Sequence, residues 1–329
     1  MKTKNIVVLL VAILFLTTGC GNKTYLKEDK NIVTYEKTGQ SLQNNILCKP
    51  SEQELYELYE KYNDQLQTKL EDLPVCEEFK PNEVEYHSLW ESIFVKPLAW
   101  LILKLGIFIK NFGVSVMLIG LGIRLILLPF SKKTMDQSEN MKKAQPEIQK
   151  IEKKYANRTD SDSMMMKSQE TMMIYKKYKI NPVSGCLIAF IQLPLFFAFL
   201  QAINRVPAIF EDSLFGMKLG MTPWVGISQG RYIYIALILL IILSTYFSFK
   251  NAMQNQNTNS EMERQMQFTL KFMIIMISIA SFSLPTAIAL YWVVTNGFVV
   301  IQNFIFKKLR EEKGAKVARV KKVNKKRGK

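Results

Sequence analysis

Long uncharged apolar runs, separated by charged blocks, constrain this chain more than any other feature of its sequence. The longest run extends from Phe272 to Phe306, 35 residues without a charged side chain. A helix needs about 20 apolar residues to cross a bilayer, and a lone strand would leave its backbone groups unsatisfied in lipid. One helix of this length would reach about 52 Å, which is too long. Because Ser283-Leu284-Pro285 supplies a turn near its middle, the run predicts two membrane-spanning helices.

Three further apolar runs bring the predicted number of spans to five, at residues 114–130, 182–203, 232–249, 270–284 and 285–306. The distribution of charge supports this count independently. Residues 131–181 carry 12 Lys/Arg against 7 acidic residues, and residues 307–329 carry 12 against 2. Both segments should be cytoplasmic by the positive-inside rule. With the N-terminus outside, five spans place both of them in the cytoplasm, whereas four spans would leave the basic tail outside. We expect an all-α, polytopic protein of the bacterial cell membrane, with a basic cytoplasmic tail at residues 307–329.

The N-terminus has the layout of a secretory signal peptide, residues 1–19. Lys2 and Lys4 precede an apolar stretch from Ile6 to Leu16, which is too short to span a membrane. The small residues that follow lead directly to Cys20, and this arrangement resembles the lipobox of bacterial lipoproteins. We expect lipid modification of Cys20, which would add a lipid anchor. An ordinary cleaved signal and an uncleaved anchor are the alternatives.

Residues 20–92 are acidic, with 8 Lys/Arg against 15 Asp/Glu between residues 21 and 92, and we expect them outside the cell. Ser51-Glu52-Gln53-Glu54 has the pattern of a helix capping box, and leucine and tyrosine then recur at helical spacing as far as residue 73. Cys48 and Cys76 flank this stretch. If they form a disulfide, the helix must fold back at Asn63-Asp64 into a stapled helical hairpin. If they are free, one long helix is expected instead.

Residues 93–112 are apolar but include Lys96, Lys104 and Lys110 as well as Pro97. A spanning helix tolerates lysine poorly at its centre. We therefore expect an interfacial amphipathic helix, with its lysines turned toward the lipid headgroups. A tilted additional span is the alternative.

Residues 132–181 predict a helical hairpin in the cytoplasm. One apolar face runs from Met141 to Tyr155 at helical spacing, and turn-forming residues 157–163 interrupt it. The second helical pattern, residues 163–179, is rich in methionine: Met164, Met165, Met166, Met172 and Met173. Two helices joined by a short polar turn predict an antiparallel pair. The methionines either form an adaptable contact surface or hold the two helices together.

Arg124 is the most informative single residue, since it lies within the first predicted span. The chain length on either side places it roughly 15 Å and 12 Å from the two ends of that span. An arginine near the membrane centre costs at least ~2.5 kcal/mol unless it faces water or a partner. The predicted spans contain no acidic residue that could pair with it. Arg124 therefore indicates a water-filled cavity, and an arginine that reaches an interface is the alternative.

Four stretches of the sequence, covering about residues 90–306, resemble the YidC/Oxa family of membrane insertases. They are the segment around Arg124; Pro146-Glu147 with Tyr155; residues 181–186 leading to 191–198; and residues 290–296 with Gln302. The resemblance implies a core at residues 113–306, in which five helices surround a hydrophilic groove that is closed on the outer side. It also implies that Arg124, Gln192 and Trp292 line that groove, together with Phe196 of the second matching stretch. Helical spacing adds Thr295 and Asn296 beside Trp292, and Gly120 one turn from Arg124.

The resemblance implies a membrane protein insertase or chaperone, not an enzyme, that assists the insertion and folding of integral membrane proteins. We expect no cofactor, because a phosphate-binding G-x-x-x-x-G-K loop is absent, and no metal, because Cys and His do not cluster. The expected partners are nascent membrane-protein clients and membrane lipids, with the ribosome and the Sec translocon as further candidates. The alternative is a small anion or solute transporter with a lipoprotein-type extracellular unit, since an arginine within the membrane can bind an anion.

Overall fold

A computed structural model describes residues 24–83, 88–158, 160–181, 184–254 and 261–327 of the chain. The side chains of residues 184–193, 251–254, 261–266 and 313–327 are not among those described. The predicted signal peptide and the predicted lipidation site at Cys20 lie outside the described residues, so both stay predictions.

The N-terminal unit, residues 24–83, combines two short β-hairpins with one helix and two 3-10 turns. Strand β1 (Lys27–Glu28) pairs with β2 (Asn31–Ile32), and β3 (Thr34–Tyr35) pairs with β4 (Gln40–Ser41). Helix α1 spans Gln53–Lys61, and the 3-10 turns lie at Asn63–Gln65 and Leu70–Asp72. The unit has a hydrophobic core of its own, to which Leu26, Leu42, Leu55, Tyr59 and Leu70 contribute.

This unit departs from the predicted helical hairpin. Cys48 and Cys76 form a disulfide, and α1 ends just before Asn63. The returning segment, however, consists of 3-10 turns and extended links rather than a second helix. The Asn63 side chain accepts a hydrogen bond from the Leu70 amide (2.8 Å), which closes a local loop that a continuing helix would exclude. The leucine spacing marked buried positions correctly, but the prediction of a second helix is wrong.

A π-helical turn, Glu91–Val95, leads into helix α2, Lys96–Ile109. By length and composition, Glu91–Ile109 could cross a membrane, so both the interfacial helix and the additional span stay predictions. The expectation that the lysines face the headgroups is wrong for Lys96, which is 1% exposed, whereas Lys104 and Lys110 are exposed. Lys96 is buried because the start of α2 and the π turn pack against the helix at residues 184–204.

The remaining helices follow in chain order. Helix α3 covers Phe112–Ile126, α4 covers Leu128–Lys154, α5 covers Ser161–Lys177 and α6 covers Ser184–Asn204. A connecting segment, residues 206–230, then contains α7 (Pro207–Glu211), the hairpin of β5 (Ser213–Leu214) with β6 (Met217–Lys218), and α8 (Pro223–Ser228). Helices α9 (Ile233–Gln254), α10 (Glu261–Ala280) and α11 (Thr286–Arg327) complete the fold.

The predicted break in the longest apolar run is present, because α10 ends at Ala280 and α11 begins at Thr286. Within the described residues, three stretches are long and apolar enough to span a membrane: Glu91–Ile109, Ile233–Lys250 and Thr286–Glu312. The pair α3 and α4, bent by 57°, adds a fourth if it counts as one span. The described apolar parts of α6 and α10, Pro194–Asn204 and Gln267–Ala280, are shorter. The helical membrane architecture is confirmed, and the count of five spans stays a prediction.

Helices α4 and α5 form the expected helical hairpin. Their contact is made by buried residues that include Ile148, Ile151, Tyr155 and Ile174. The five methionines of α5 that were singled out above, at positions 164–166, 172 and 173, are all exposed. The suggestion that these methionines hold the two helices together is therefore wrong. Aliphatic and tyrosine side chains do so instead, and the methionine face of α5 stays open.

The connecting segment ties several helix ends together. The Phe112 amide at the start of α3 donates to the Asp212 carboxylate (2.7 Å). At the start of α11, the Thr286 and Ala287 amides donate to the carbonyls of Met221 (3.0 Å) and Leu219 (2.9 Å). The end of α6 leads directly into the same segment. The backbone amides at these helix starts therefore fasten one end of the bundle, opposite the end that carries the hairpin, to the connecting segment.

Candidate substrate groove

Arg124 lies in the last turn of α3, two residues before that helix ends at Ile126. The helix stops here because Pro129, in the first turn of α4, has no N–H to donate to a preceding carbonyl group. The span predicted at residues 114–130 is therefore not one straight helix, and Arg124 lies beside the bend that leads into the hairpin. A positive charge at this position also interacts favourably with the carbonyl groups at the helix C-terminus.

The Arg124 side chain is partly buried and lies near Tyr291 of α11. The Tyr291 ring stacks on Phe199 of α6, with ring centroids 4.3 Å apart. It also packs against Gly120, one turn before Arg124, so closely that a Cβ atom at Gly120 would lie 2.9 Å from the ring. Helices α3, α6 and α11 therefore meet around this tyrosine, directly beside the arginine.

Trp292, the next residue of α11, joins α6 to α9. Its ring packs edge-on against Phe196, with centroids 5.1 Å apart, and its indole N–H donates to the hydroxyl of Thr245 on α9 (2.9 Å). Thr245 is completely buried. Thr295 is buried against α3, and its hydroxyl donates to a backbone carbonyl of the preceding turn (2.8 Å). Small polar groups and aromatic rings thus line the contact of these helices.

Five of the seven residues predicted for the groove belong to one connected set of contacts: Arg124, Gly120, Phe196, Trp292 and Thr295. Asn296 is half-buried on α11, next to Thr295. Gln192 belongs to α6, but its side chain lies outside the described residues. That these residues line a substrate groove stays a prediction.

The sequence-based site omitted Tyr291 and Thr245. Tyr291 stands directly before Trp292 in a matching stretch, and a tyrosine in an apolar span carries a hydroxyl that needs a partner. Thr245 and Ser248 are three residues apart on α9 and both are buried, as is Gln302 on α11. Polar residues spaced three apart share one face of a helix. This spacing was the available signal that α9 turns a polar face inward.

The hairpin next to the site is stabilised by ion pairs on its surface. Lys177 and Tyr178 donate hydrogen bonds to Glu147 (2.6 Å and 2.7 Å), and these bonds lower the pKa of the Glu147 carboxyl. Lys154 pairs with Glu170 in the same way (2.6 Å). Among the described residues, no group of three or more His, Cys, Asp and Glu side chains could hold a metal ion.

The fold and the site define a class of protein. It is a helical membrane protein in which a cationic side chain lies among aromatic and small polar residues of neighbouring apolar helices, beside a charged helical hairpin. The chain belongs to the 60Kd inner membrane protein family, whose model matches residues 104–313. This assignment confirms the resemblance to the YidC/Oxa insertases.

Two relatives at 30% identity or more agree with this assignment. The membrane protein insertase YidC of Oceanobacillus iheyensis is 34% identical over 223 residues, which cover 67% of this chain and 84% of the relative. The membrane protein insertase MisCA of Bacillus subtilis is 32% identical over 229 residues, covering 69% and 83% of the two chains. A crystal structure described as an active YidC insertase with its first transmembrane domain resolved is 24% identical, with a TM-score of 0.48, and the match covers 67% of this chain and 47% of that one.

Proposed function

We propose that this chain is a membrane protein insertase that admits short polar segments of its clients into a groove beside Arg124. The observation that carries the proposal is the position of Arg124, at the bend between an apolar helix and the charged hairpin and beside residues of α6 and α11. Membership of the 60Kd inner membrane protein family supports the same activity, since the relatives in Oceanobacillus iheyensis and Bacillus subtilis are named membrane protein insertases.

The physical problem is to move a polar segment into lipid without a sealed channel. A fixed positive charge lowers the free energy needed to bring an acidic segment part of the way into the membrane. The apolar helix of the client then leaves sideways into lipid, where burial of about 20 apolar residues drives its insertion. No covalent bond of the client changes, so we assign no chemical step to the protein.

The methionine face of α5 would contact an apolar client segment before insertion. The face is exposed, while the hairpin is held together by other side chains. Methionine side chains are unbranched and flexible, and they adapt to apolar partners of different shape. We therefore assign this face to the first contact with clients, ahead of the groove.

We place the N-terminal unit outside the cell and the hairpin and the tail of residues 307–329 in the cytoplasm, in accordance with the charge distribution. A lipid on Cys20 would anchor the outer end. The basic tail and the hairpin would bind ribosomal RNA or anionic lipid through charge, without a sequence motif. The Sec translocon is a further candidate partner.

Reconstitution tests the proposed activity directly. Purified protein in lipid vesicles should increase the protease-protected fraction of a single-span client that has a short acidic translocated segment, compared with empty vesicles. The same vesicles are tested for uptake of small anions. Anion uptake without a gain in client insertion would favour a transporter and would contradict the proposal.

Thiol labelling tests the orientation. A cysteine at Ser161, the first residue of α5, should resist a membrane-impermeant thiol reagent in intact cells, whereas one at Ser213, in the connecting segment, should react. The opposite pattern would rule out the proposed orientation.

A further inference from the structure

We propose that the N-terminal unit is a cap that docks on the outer end of the helix bundle and keeps the groove closed on that side. This inference rests on the proposed insertase function and deepens it. The unit precedes the region that matches the family, residues 104–313, so the family assignment gives it no role. Three groups of contacts between the unit and the bundle carry the proposal.

The first group surrounds Arg205, the first residue after α6. Its guanidinium forms a buried salt bridge with Glu91 of the π turn (2.8 Å), and its backbone carbonyl accepts the Leu47 N–H (2.8 Å). The side-chain oxygen of Asn45, with the amide oriented so that this oxygen faces Arg205, accepts two further hydrogen bonds from the guanidinium (3.1 Å and 2.7 Å). Arg205 is 4% exposed. A buried arginine requires such partners, so removal of the arginine would leave the Glu91 carboxylate as an uncompensated buried charge.

The disulfide lies at the same junction. Cys48 and Cys76 are buried in the hydrophobic cluster of the bundle, together with Val95 and Ile203, and not in the separate core of the N-terminal unit. The disulfide connects the residue next to Leu47 to the segment that precedes the π turn. A crosslink of this kind reduces the number of conformations open to the undocked chain, and it thereby favours the docked state.

The second group joins the β3–β4 hairpin to the connecting segment. The Thr38 carbonyl accepts the Thr222 N–H (2.8 Å), and the Lys37 carbonyl accepts a hydrogen bond from the Gln229 side chain (3.2 Å). Gly39 has a φ of +72° and lies so close to α8 that a Cβ atom there would clash. The turn between β3 and β4 is therefore shaped for this contact.

The third group completes helix α1. The Glu211 carboxylate, at the end of α7, accepts the N–H groups of Ser51 (2.7 Å) and Glu52 (2.9 Å), where α1 has no side-chain cap of its own. The predicted capping box at Ser51 is therefore wrong, because the connecting segment supplies the cap. Burial raises the pKa of Glu211, while the two amides lower it. The start of α1 is fully hydrogen-bonded only when the unit is docked.

These contacts hold the groove closed because the connecting segment also binds the starts of α3 and α11 through Asp212, Leu219 and Met221. The docked unit therefore holds α3, α6 and α11 together at the end of the bundle opposite the hairpin. Undocking would free the end of α6 at Arg205, and water and ions could then reach Arg124 from outside.

The experiment measures ion leak and cap docking on the same proteoliposomes of full-length protein. The variants are Arg205→Ala, the milder Arg205→Lys, and Lys61→Ala as a matched control. Lys61 pairs with Glu28 within the N-terminal unit (2.9 Å), but both side chains are exposed and the pair contributes little to stability. Docking is followed by hydrogen exchange at the Leu47 and Thr222 amides, and leak by efflux of potassium from loaded vesicles. Insertion of the acidic client by the wild-type protein is measured in parallel.

Arg205→Ala removes both hydrogen bonds from the guanidinium to Asn45 of the cap, and hydrogen bonds to a charged group are among the stronger ones. The variant should therefore raise exchange at both amides and raise potassium efflux by roughly tenfold or more. Arg205→Lys should fall between it and the wild type, and Lys61→Ala should match the wild type. The proposal that the unit closes the groove is overturned if Arg205→Ala speeds exchange without speeding efflux, speeds efflux without speeding exchange, or changes neither. If the wild-type protein fails to insert the client, the proposed function fails whatever the efflux shows.

Discussion

Gly120 determines how closely α3 approaches α11 at the site. A Cβ atom there would lie 2.9 Å from the Tyr291 ring, which cannot move freely because it stacks on Phe199. Two residues along α3, a Cβ atom at Gly122 would meet nothing within 4 Å. The two glycines are therefore a matched pair, one in a tight contact and one in open space.

Gly120→Ala should destabilise the helix contact by about 1–3 kcal/mol, because an added methyl group in a packed interior forces its neighbours to shift. Gly122→Ala should leave stability unchanged or raise it slightly, since alanine is the better helix former. Thermal unfolding of the purified variants in detergent measures both. Equal unfolding temperatures for the two variants would show that Gly120 does not set the distance between α3 and α11.

Single residues were predictable from the sequence where their chemistry is unusual for a membrane. Arg124 stood out because a charge in a span requires an explanation, and Trp292 stood out through the matching stretch. Tyr291 was not selected, since its importance depends on which residues of α3 and α6 face it, and spacing along one chain does not show this. Lys96 was misjudged for the same reason, because the helix that buries it is about 90 residues away in sequence.

Among the larger elements, the hairpin and the last helix are joined through Arg310 in the described part of the chain. Arg310 of α11 forms a salt bridge with Asp136 of α4 (2.5 Å) and lies 3.9 Å from Glu139, one turn further along α4. All three side chains are partly exposed, so the contact is a modest one. It nevertheless fixes the base of the hairpin to a helix that lines the site.

Arg310→Ala should increase hydrogen exchange in the first turns of α4, because the base of the hairpin loses this contact. A double-mutant cycle with Asp136→Ala should give a coupling energy of about 0.2–1 kcal/mol, as expected for an exposed pair. Lys154→Ala is the control, since it breaks the Lys154–Glu170 pair within the hairpin (2.6 Å) and leaves the link to α11 intact. If Lys154→Ala raises hydrogen exchange in the first turns of α4 as much as Arg310→Ala does, the hairpin is loosened as a whole, which would contradict the prediction.

The sequence predicted elements well where one physical signal dominated. Proline and the limited thickness of the bilayer predicted the break between α10 and α11, and turn-forming residues predicted the break between α4 and α5. The N-terminal unit was predicted less well, because its leucines are buried by 3-10 turns that share the approximate spacing of a helix. Its docking surface was not predictable, since Asn45 and Arg205 are 160 residues apart and meet only in the folded chain.

Across the whole molecule, the described contacts differ between the two ends of the bundle. At one end the N-terminal unit and the connecting segment bind the ends of α3, α6 and α11. At the other end Arg124 lies beside a bend that leads to the hairpin with its exposed methionine face. The proposed function, in which clients enter from the cytoplasm and ions must not leak, requires this asymmetry.

The most direct test of the central claim is the insertion of matched clients by Arg124 variants. Two single-span clients differ only in whether their translocated segment is acidic or neutral, and protease protection in vesicles measures their insertion. Arg124→Ala should reduce insertion of the acidic client by roughly tenfold or more, in line with the energy of a charge within the membrane. Arg124→Lys should largely retain insertion, and the neutral client should be less affected. Equal insertion of the acidic client by wild type and Arg124→Ala would contradict the account.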